Sequence, residues 1–531
     1  VEAMLEGCVP WPEELAAFYR REGYWQGRPL GDLLDEACAR YADKTALVCG
    51  ERRMTYAQLS AESSALAGGL LNRGIEPLDR VVVQLPNVPE FVVVVFALLR
   101  IGAIPVMALP GHRKVELTHL CAHSRAVALV VADEVKGFDH RSLAREVLAE
   151  VPALKHVVVA GDAEEFTALA DLYLPGSDLP AVDPSQPALF LLSGGTTGLP
   201  KLIPRTHDDY AYNMRATAEA LRFGEGSVYL AVNPVGHNSA LGCPGVLGAL
   251  LVGGTAVLTS SVRPDEVFEL LERERVTLTT LVPPVVRLWI DAARKSDARF
   301  PDLTLQVGSS KFDPGRAAEV RTGLGAALTQ WFGVGEGLLT YTRLDDPEEI
   351  IVGTEGSPLA EHDEILVVDA DGRPVPEGAE GELLVRGPYT IRGYFRAEEQ
   401  NRRAFTPDGY FRTGDMVRRR PDGSIVVVGR IKDIINRAGE KVPAEEVEEH
   451  LLTHDAIRDA AVVGVADPVL GEKSVAFVIL RDKEVKPAAV KSFLRERGLA
   501  TYKIPDKVVP VEEFPRTAVG KVDKVALRAS V

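Results

Sequence analysis

Short runs of apolar, mostly β-branched residues alternate with helix-length amphipathic stretches over the first 281 residues, and this rhythm limits the fold more than any other feature. Residues 30–41, 55–73 and 88–101 carry a helical period. Residues 45–48, 80–85, 104–107, 126–132, 156–160 and 188–192 read as strands, and the pattern resumes at 227–232, 256–258 and 277–281. Apolar strands separated by helices of about 10–15 residues predict right-handed βαβ units and mostly parallel sheets. From 348 to 428 the character changes. Runs at 364–368, 381–386 and 424–428 stand beside Asp-Gly pairs at 371–372, 408–409 and 422–423, which predict antiparallel hairpins. After Arg430 helices return, with strands at 460–465 and 474–479. The expected fold class is α/β: a large N-terminal domain of mixed βαβ sheets plus a β-barrel-like subdomain, then a small α+β domain.

Charge supports that division. The chain has 531 residues, enough for three or four domains or for two large ones and an appendage. Its 60 basic and 76 acidic side chains give a net charge of −16. From Lys432 onward the count is 17 basic and 17 acidic, so everything before carries the whole excess. So acidic a chain lacks the electrostatic footprint of a nucleic-acid binder. The 46% apolar content excludes a disordered chain. Five cysteines without a CxxC pair predict free thiols in a reducing cytoplasm. No basic-then-apolar leader is visible, so a signal peptide is not expected. The apolar stretch 91–99 is too short to span a membrane. The stretch 240–258 is broken by Pro244 and five glycines, and reads as a buried helix, a turn and a strand. A soluble protein without membrane partners is expected.

Four runs carry chemistry. Residues 191–201, LLSGGTTGLPK, follow a strand. Gly194, Gly195 and Gly198 admit close backbone approach, Ser193, Thr196 and Thr197 bring hydroxyls, and Lys201 brings a positive charge; together they suit phosphate oxygens. The run is not a Walker A loop, whose lysine precedes Ser or Thr; by itself it also reads as a flexible glycine turn. In 410–430, Asp415 follows a Thr-Gly turn and is placed to accept both ribose hydroxyls, with Arg430 adding a hydrogen bond; the alternative is a plain turn residue. FGVGE (332–336) puts Glu336 after a glycine-permissive loop. RTAVGK (516–521) ends in Lys521, which alone would read as a solvated charge.

In order along the chain come SGGTTGLPK, FGVGE, GELLVRGP, YFRTGD, GRIKDIINRAGEKV and PRTAVGK. With these motifs the chain resembles the adenylate-forming superfamily of acyl-CoA synthetases, luciferases and nonribosomal-peptide adenylation domains. His237-Asn238, Cys243-Pro244-Gly245, LQVGSSK (305–311) and EGLLTYTRLDDPEE (336–349) make it most similar to the aryl-acid–AMP ligases of siderophore pathways. The resemblance implies ATP and Mg²⁺ as cofactors, and domains at 1–431 and 432–531 with Lys432 at the hinge. It implies Lys521 as the lysine that contacts carboxylate and α-phosphate, and Glu336 as the Mg²⁺ ligand. Ser193, Gly194, Gly195, Thr196, Thr197, Lys201, Ser309, Trp331, Gly335, Asp415 and Arg430 would hold ATP. Asn238, Ser239, Cys243, Gly308 and Leu339 would line the acyl pocket.

His237 has three readings: core histidine, gate beside the pocket, or base. After rotation of the small domain, Gly439 and Lys441 would face the adenylate while a pantetheine thiol attacks. The implied partner is an aryl carrier protein with a phosphopantetheine arm, and the implied state a monomer or homodimer. The implied acid is salicylate. 2,3-Dihydroxybenzoate ligases have serine where Cys243 stands and valine where Leu339 stands. A 2,3-dihydroxybenzoate–AMP ligase, an aryl-CoA ligase using free coenzyme A and a nucleotide-binding scaffold without chemistry are the alternatives. Ser239 replaces an aromatic and Trp331 a valine of the relatives, changes expected to compensate in volume.

Overall fold

The structure, a computed structural model, describes residues 3–531 except 175, 177, 194–198, 309–311, 313, 431–433, 482–484 and 516–521, and omits the side chains of 284, 428–430, 445, 449 and 525. The expected alternation takes the form of two sheets. Among the described residues one has seven strands, in the order Lys201–Thr206, Pro187–Ser193, Ile104–Met107, Arg80–Gln84, Ala128–Ala132, His156–Ala160 and Thr167–Ala168. The other has nine, with a parallel centre formed by Thr45–Cys49, Thr255–Leu258, Val228–Ala231, Leu278–Leu281, Thr304–Val307 and Ala327–Gly333.

Strand alternation splits the cores. Val81, Val83 and Val130 point into a core shared with the nine-stranded sheet, while Val82, Leu129 and Val131 point into a separate outer one. The helix Pro89–Ile101 lies in the shared core. It is buried nearly all round, starts on a proline and ends at the left-handed Gly102, which is why its apolar run needs no membrane. Among the described residues no helix is long and apolar enough to cross one. Helices Lys114–Ser124 and His140–Glu150 cover the outer face of the seven-stranded sheet. Pro264–Arg273, Pro283–Ser296 and Pro314–Leu324 cover that of the nine-stranded sheet.

The barrel-like region is realised as a four-stranded antiparallel sheet, in the order Glu364–Val368, Glu380–Arg386, Phe411–Arg419 and Ile425–Arg430. Gly372, Gly409 and Gly423 all have positive φ, as Asp-Gly turns require. One local expectation fails. Thr413-Gly414 is not a turn but the interior of the strand Phe411–Arg419, where Gly414 takes a φ of +71°. The ladder with Glu380–Arg386 absorbs the glycine as an irregularity between Glu382 and Leu384, which a dipeptide reading does not reveal.

The small domain pairs Glu440–Pro443, Ile434–Arg437, Gly471–Leu480 and Ile457–Asp467, with Lys507–Pro510 parallel to Gly471–Leu480. Its two faces carry cores of their own, built from small-domain residues, with Val115 of the large domain packed against one.

Candidate active site

A cavity of about 780 Å³ opens between the large and small domains. From the large domain it is lined by residues at or past the carboxyl ends of strands: Leu109, Ser193, Gly236–Ser239 and Trp331–Glu336. That is where parallel α/β sheets present ligand-binding loops.

At one end the strands Pro187–Ser193 and Lys201–Thr206 form an antiparallel hairpin with Ser193 opposite Lys201. The strands on either side of the glycine-rich run are thus paired with each other; Gly194, Gly195, Thr196, Thr197 and Gly198 lie outside the described residues. Lys201 Nζ stands 4.3 Å from the centre of the Tyr394 ring. Tyr394 Oη donates to Glu336 Oε1 at 2.6 Å, and the Ile391 amide donates to the Glu336 carbonyl at 2.8 Å. Burial pushes the Tyr394 hydroxyl well above its ordinary value, so it stays a donor. Beneath the same loop, the fully buried Arg205 donates to Asp209 Oδ1 at 2.6 Å and to the Gly335 carbonyl at 3.1 Å. The buried Asp415 lines the cavity, its backbone paired across the ladder with that of Arg430, whose side chain is not described.

At the acyl end Tyr210 Oη donates to Asn238 Oδ1 at 2.8 Å, which leaves the Asn238 NH₂ to meet a ligand. Ser239 lines the cavity beside it. Trp331 also lines it, with 5% of its surface exposed, and stacks on Tyr341 at 5.9 Å and 11°. Here the structure corrects the pocket. Cys243 and Leu339 are fully buried, and Gly308 is buried as well. A Cβ on Gly308 would meet Trp331 Nε1 at 2.4 Å, and one on Gly333 would meet Leu339 at 2.4 Å and the indole at 2.7 Å. The indole thus packs against Gly308 and lies beside Leu339 at Gly333. Burial pushes the Cys243 thiol up to about 12, so it is an inert wall residue.

The small domain contributes the turn at Gly439, Glu440 and Lys441, made by two left-handed residues, Ala438 and Gly439. Glu440 Oε1 accepts from His237 Nε2 at 3.0 Å. Burial works against the charge on each partner, and the facing charge outweighs it, so His237 is raised and Glu440 lowered from their ordinary values. Lys432, Ser309 and Lys521 lie outside the described residues.

Residues 34–395 match the AMP-binding enzyme family and 446–521 its C-terminal domain. The chain belongs to the AMP-binding enzyme family. Triostin synthetase I of Streptomyces triostinicus is 63% identical, over 99% of both chains. The 2,3-dihydroxybenzoate-AMP ligase of Bacillus subtilis is 53% identical, over 99% of this chain and 98% of that one. The salicyl-AMP ligase of Mycobacterium tuberculosis is 49% identical, over 98% and 94%. The apo structure of Mycobacterium smegmatis MbtA superposes with a TM-score of 0.77 at 48% identity, over 99% of both chains. This AMP-binding enzyme is an adenylate-forming ligase of the aryl-acid branch.

In this AMP-binding enzyme ten of the expected residues meet at one cavity: Ser193, His237, Asn238, Ser239, Trp331, Gly335, Glu336, Asp415, Gly439 and Lys441. Sequence reasoning missed Arg205, Tyr210, Tyr394 and Glu440. The Thr206–Asp209 capping box that opens the helix His207–Ala220 was a readable signal for the first two.

Proposed function

We propose that the chain joins an aryl acid to AMP at this cavity, releasing pyrophosphate, and then passes the acyl group to a phosphopantetheine thiol on a carrier protein in the cytoplasm. The observation that carries the reading is the meeting of a nucleotide end (Glu336, Asp415), an acyl end (Asn238, Ser239) and the small-domain turn 439–441 at one cavity.

The hairpin mouth at Ser193 and Lys201 would hold the β- and γ-phosphates, and Asp415 the ribose. Mg²⁺ is held by few protein carboxylates plus substrate phosphates, so a single buried Glu336 fits it as a ligand. When bound, the ion neutralises charge on the phosphates during displacement. Tyr394 and Arg205 fix the Glu336 loop from behind, so no reorganisation is needed as charge shifts. Lys521 would act on the carboxylate and α-phosphate during the first half-reaction. Domains at 1–431 and 432–531, with Lys432 as the pivot, fit the separate cores of the two units. The turn at 439–441 facing the cavity supports assigning this arrangement to the second half-reaction, the thiol attack.

The acid is salicylate. The Asn238 NH₂ is free to meet its ortho-hydroxyl. Cys243 and Leu339, which stand where the resembling 2,3-dihydroxybenzoate ligases have serine and valine, are fully buried, and Leu339 brings no hydrogen-bonding group toward a 3-hydroxyl. An unmatched buried hydroxyl costs about 1–3 kcal/mol, or about 5- to 150-fold in rate. ATP–pyrophosphate exchange with salicylate and 2,3-dihydroxybenzoate tests this directly. Salicylate should give the higher kcat/KM; equal values would end the assignment, and exchange with neither acid would end the salicylate reading altogether. Carrier and coenzyme A offered in competition as acceptors test the second step.

A further inference from the structure

The seam between the domains holds a buried cluster of ions, of which Lys503 and the neighbouring His112 also reach the edge of the cavity. Glu116 sits in the first turn of the helix Lys114–Ser124 of the large domain and is fully buried. Its Oε2 accepts from the Arg113 amide at 3.1 Å and so caps its own helix. Its Oε1 faces the small domain, where it accepts from the Ala500 amide at 3.0 Å and stands 3.2 Å from Lys503 Nζ. Lys503, 2% exposed, also donates to the equally buried Glu446 at 2.9 Å. His112 lies close by, buried, and burial lowers it to about 4, so it stays neutral and adds no charge. The Val115 amide reaches the Gly498 carbonyl at 3.4 Å, and the rings of His112 and Tyr502 lie 6.3 Å apart. One carboxylate of the large domain thus receives a lysine and an amide from one stretch of the small domain, residues 500–503.

Charges set like this give little net adhesion, because water solvates each of them when the surfaces part. They are strict about register, because a shifted dock buries an uncompensated charge. A domain that must dock and leave in every turnover needs both properties. Resting on the two-step function above, we propose that the Glu116–Lys503–Glu446 triad is a latch that selects the thiol-transfer orientation of the small domain. Glu116 and Lys503 are positioning residues for transfer and have no part in adenylation.

The test separates the half-reactions. Glu116→Gln and Lys503→Met are compared with the unaltered protein in ATP–pyrophosphate exchange, and in transfer to pantetheine from the adenylate of the acid that exchanges best. Transfer should fall about tenfold in each variant, while exchange stays level or rises as the other orientation gains population. Lys503→Arg, which keeps the charge, should recover part of the loss. A residue that merely supports the fold would lower both half-reactions together, and a parallel loss overturns the latch. Unchanged transfer in both variants overturns it as well. Glu116→Gln is isosteric and keeps an oxygen for the helix cap, so it decides the matter even if Lys503→Met does not fold. Wild-type protein that exchanges with no aryl acid would overturn the function and the latch together. Normal exchange with transfer indifferent to the triad would overturn the latch alone.

Discussion

At the acyl end of the cavity the contacts are apolar, stacked and buried, whereas along the seam with the small domain they are ionic. Trp331, Tyr341, Tyr210, Cys243 and Leu339 are almost wholly shielded and interlock around glycines that leave no room for a Cβ. Moving any of them would open a void in a close-packed interior. The seam uses His237 against Glu440 and Lys503 against Glu116 and Glu446. Such pairs lose little when pulled apart, because water replaces the partner. Under the proposed function, the difference would give one cavity a fixed wall to measure the acid and a movable wall to change role.

The sharpest way to break this comparison is to fix the movable wall. A Cβ at Gly111 would stand 3.7 Å from Thr501 Oγ1, near the reach of a disulfide. In Gly111→Cys/Thr501→Cys, oxidation should suppress pyrophosphate exchange by about 100-fold or more while transfer from supplied adenylate survives. Reductant should restore exchange. Full exchange in the oxidised protein would mean that the small domain does not need to move.

The fixed wall is probed next by Arg205→Met. It leaves Asp209 buried without its partner and frees the Gly335 carbonyl, which should cost about 3–5 kcal/mol of stability. Thermal unfolding would show it as a lowered Tm, and exchange should fall with it because the Glu336 loop loses its brace. A Tm equal to that of the parent would show that the buried Arg205–Asp209 pair does not brace this part of the large domain.

The sequence was legible where local chemistry and period agree. The strands Ile104–Met107, His156–Ala160 and Glu364–Val368 have the bounds that pattern alone predicts. Glu336 and Asp415, singled out by the order of the motifs that hold them, both line the cavity. What was not legible depended on long-range packing. Nothing near Leu339 in sequence says that Trp331 lies beside it. Tyr394 meets Glu336 from 58 positions away, and Glu440 meets His237 from 203. The hairpin partner of 187–193 also remained hidden, because LIPRT reads as a continuation of the loop until its register is known.

A smaller effect is expected from the two pocket substitutions. Ser239 and Trp331 both line the cavity, where a ring lost on one side and gained on the other would compensate in volume. Ser239→Tyr should slow exchange with 6-methylsalicylate about fivefold and salicylate less, since a methyl with room is worth about 1 kcal/mol. Trp331→Val beside it should restore much of the loss. Strict additivity of the two changes would show that the positions do not share the same space.

The smallest expected effect is a pH dependence of the movable wall, and it decides the role of His237. In the docked arrangement Glu440 raises His237 above its ordinary 6.5, so protonated His237 favours docking. That contribution is fully present below about 6.5 and is lost as pH rises through the raised docked value. Glu440 is lowered from 4.5, so its share is present above 4.5 and fades only as pH falls through the lowered value. Both side chains are partly exposed to the cavity, so solvent screening keeps the effect modest. The measurement is the ratio of transfer rates, wild type over Glu440→Gln, from supplied adenylate to pantetheine. The titration of the thiol itself cancels in that ratio. If the pair acts as a docking contact, the ratio should be about two to three near pH 6.5 and approach one by about pH 9. A histidine base oriented by Glu440 gives the opposite trend, because only its neutral form accepts the thiol proton; the ratio would then climb with pH and level off. A rising ratio would move His237 from the movable wall to the reacting groups.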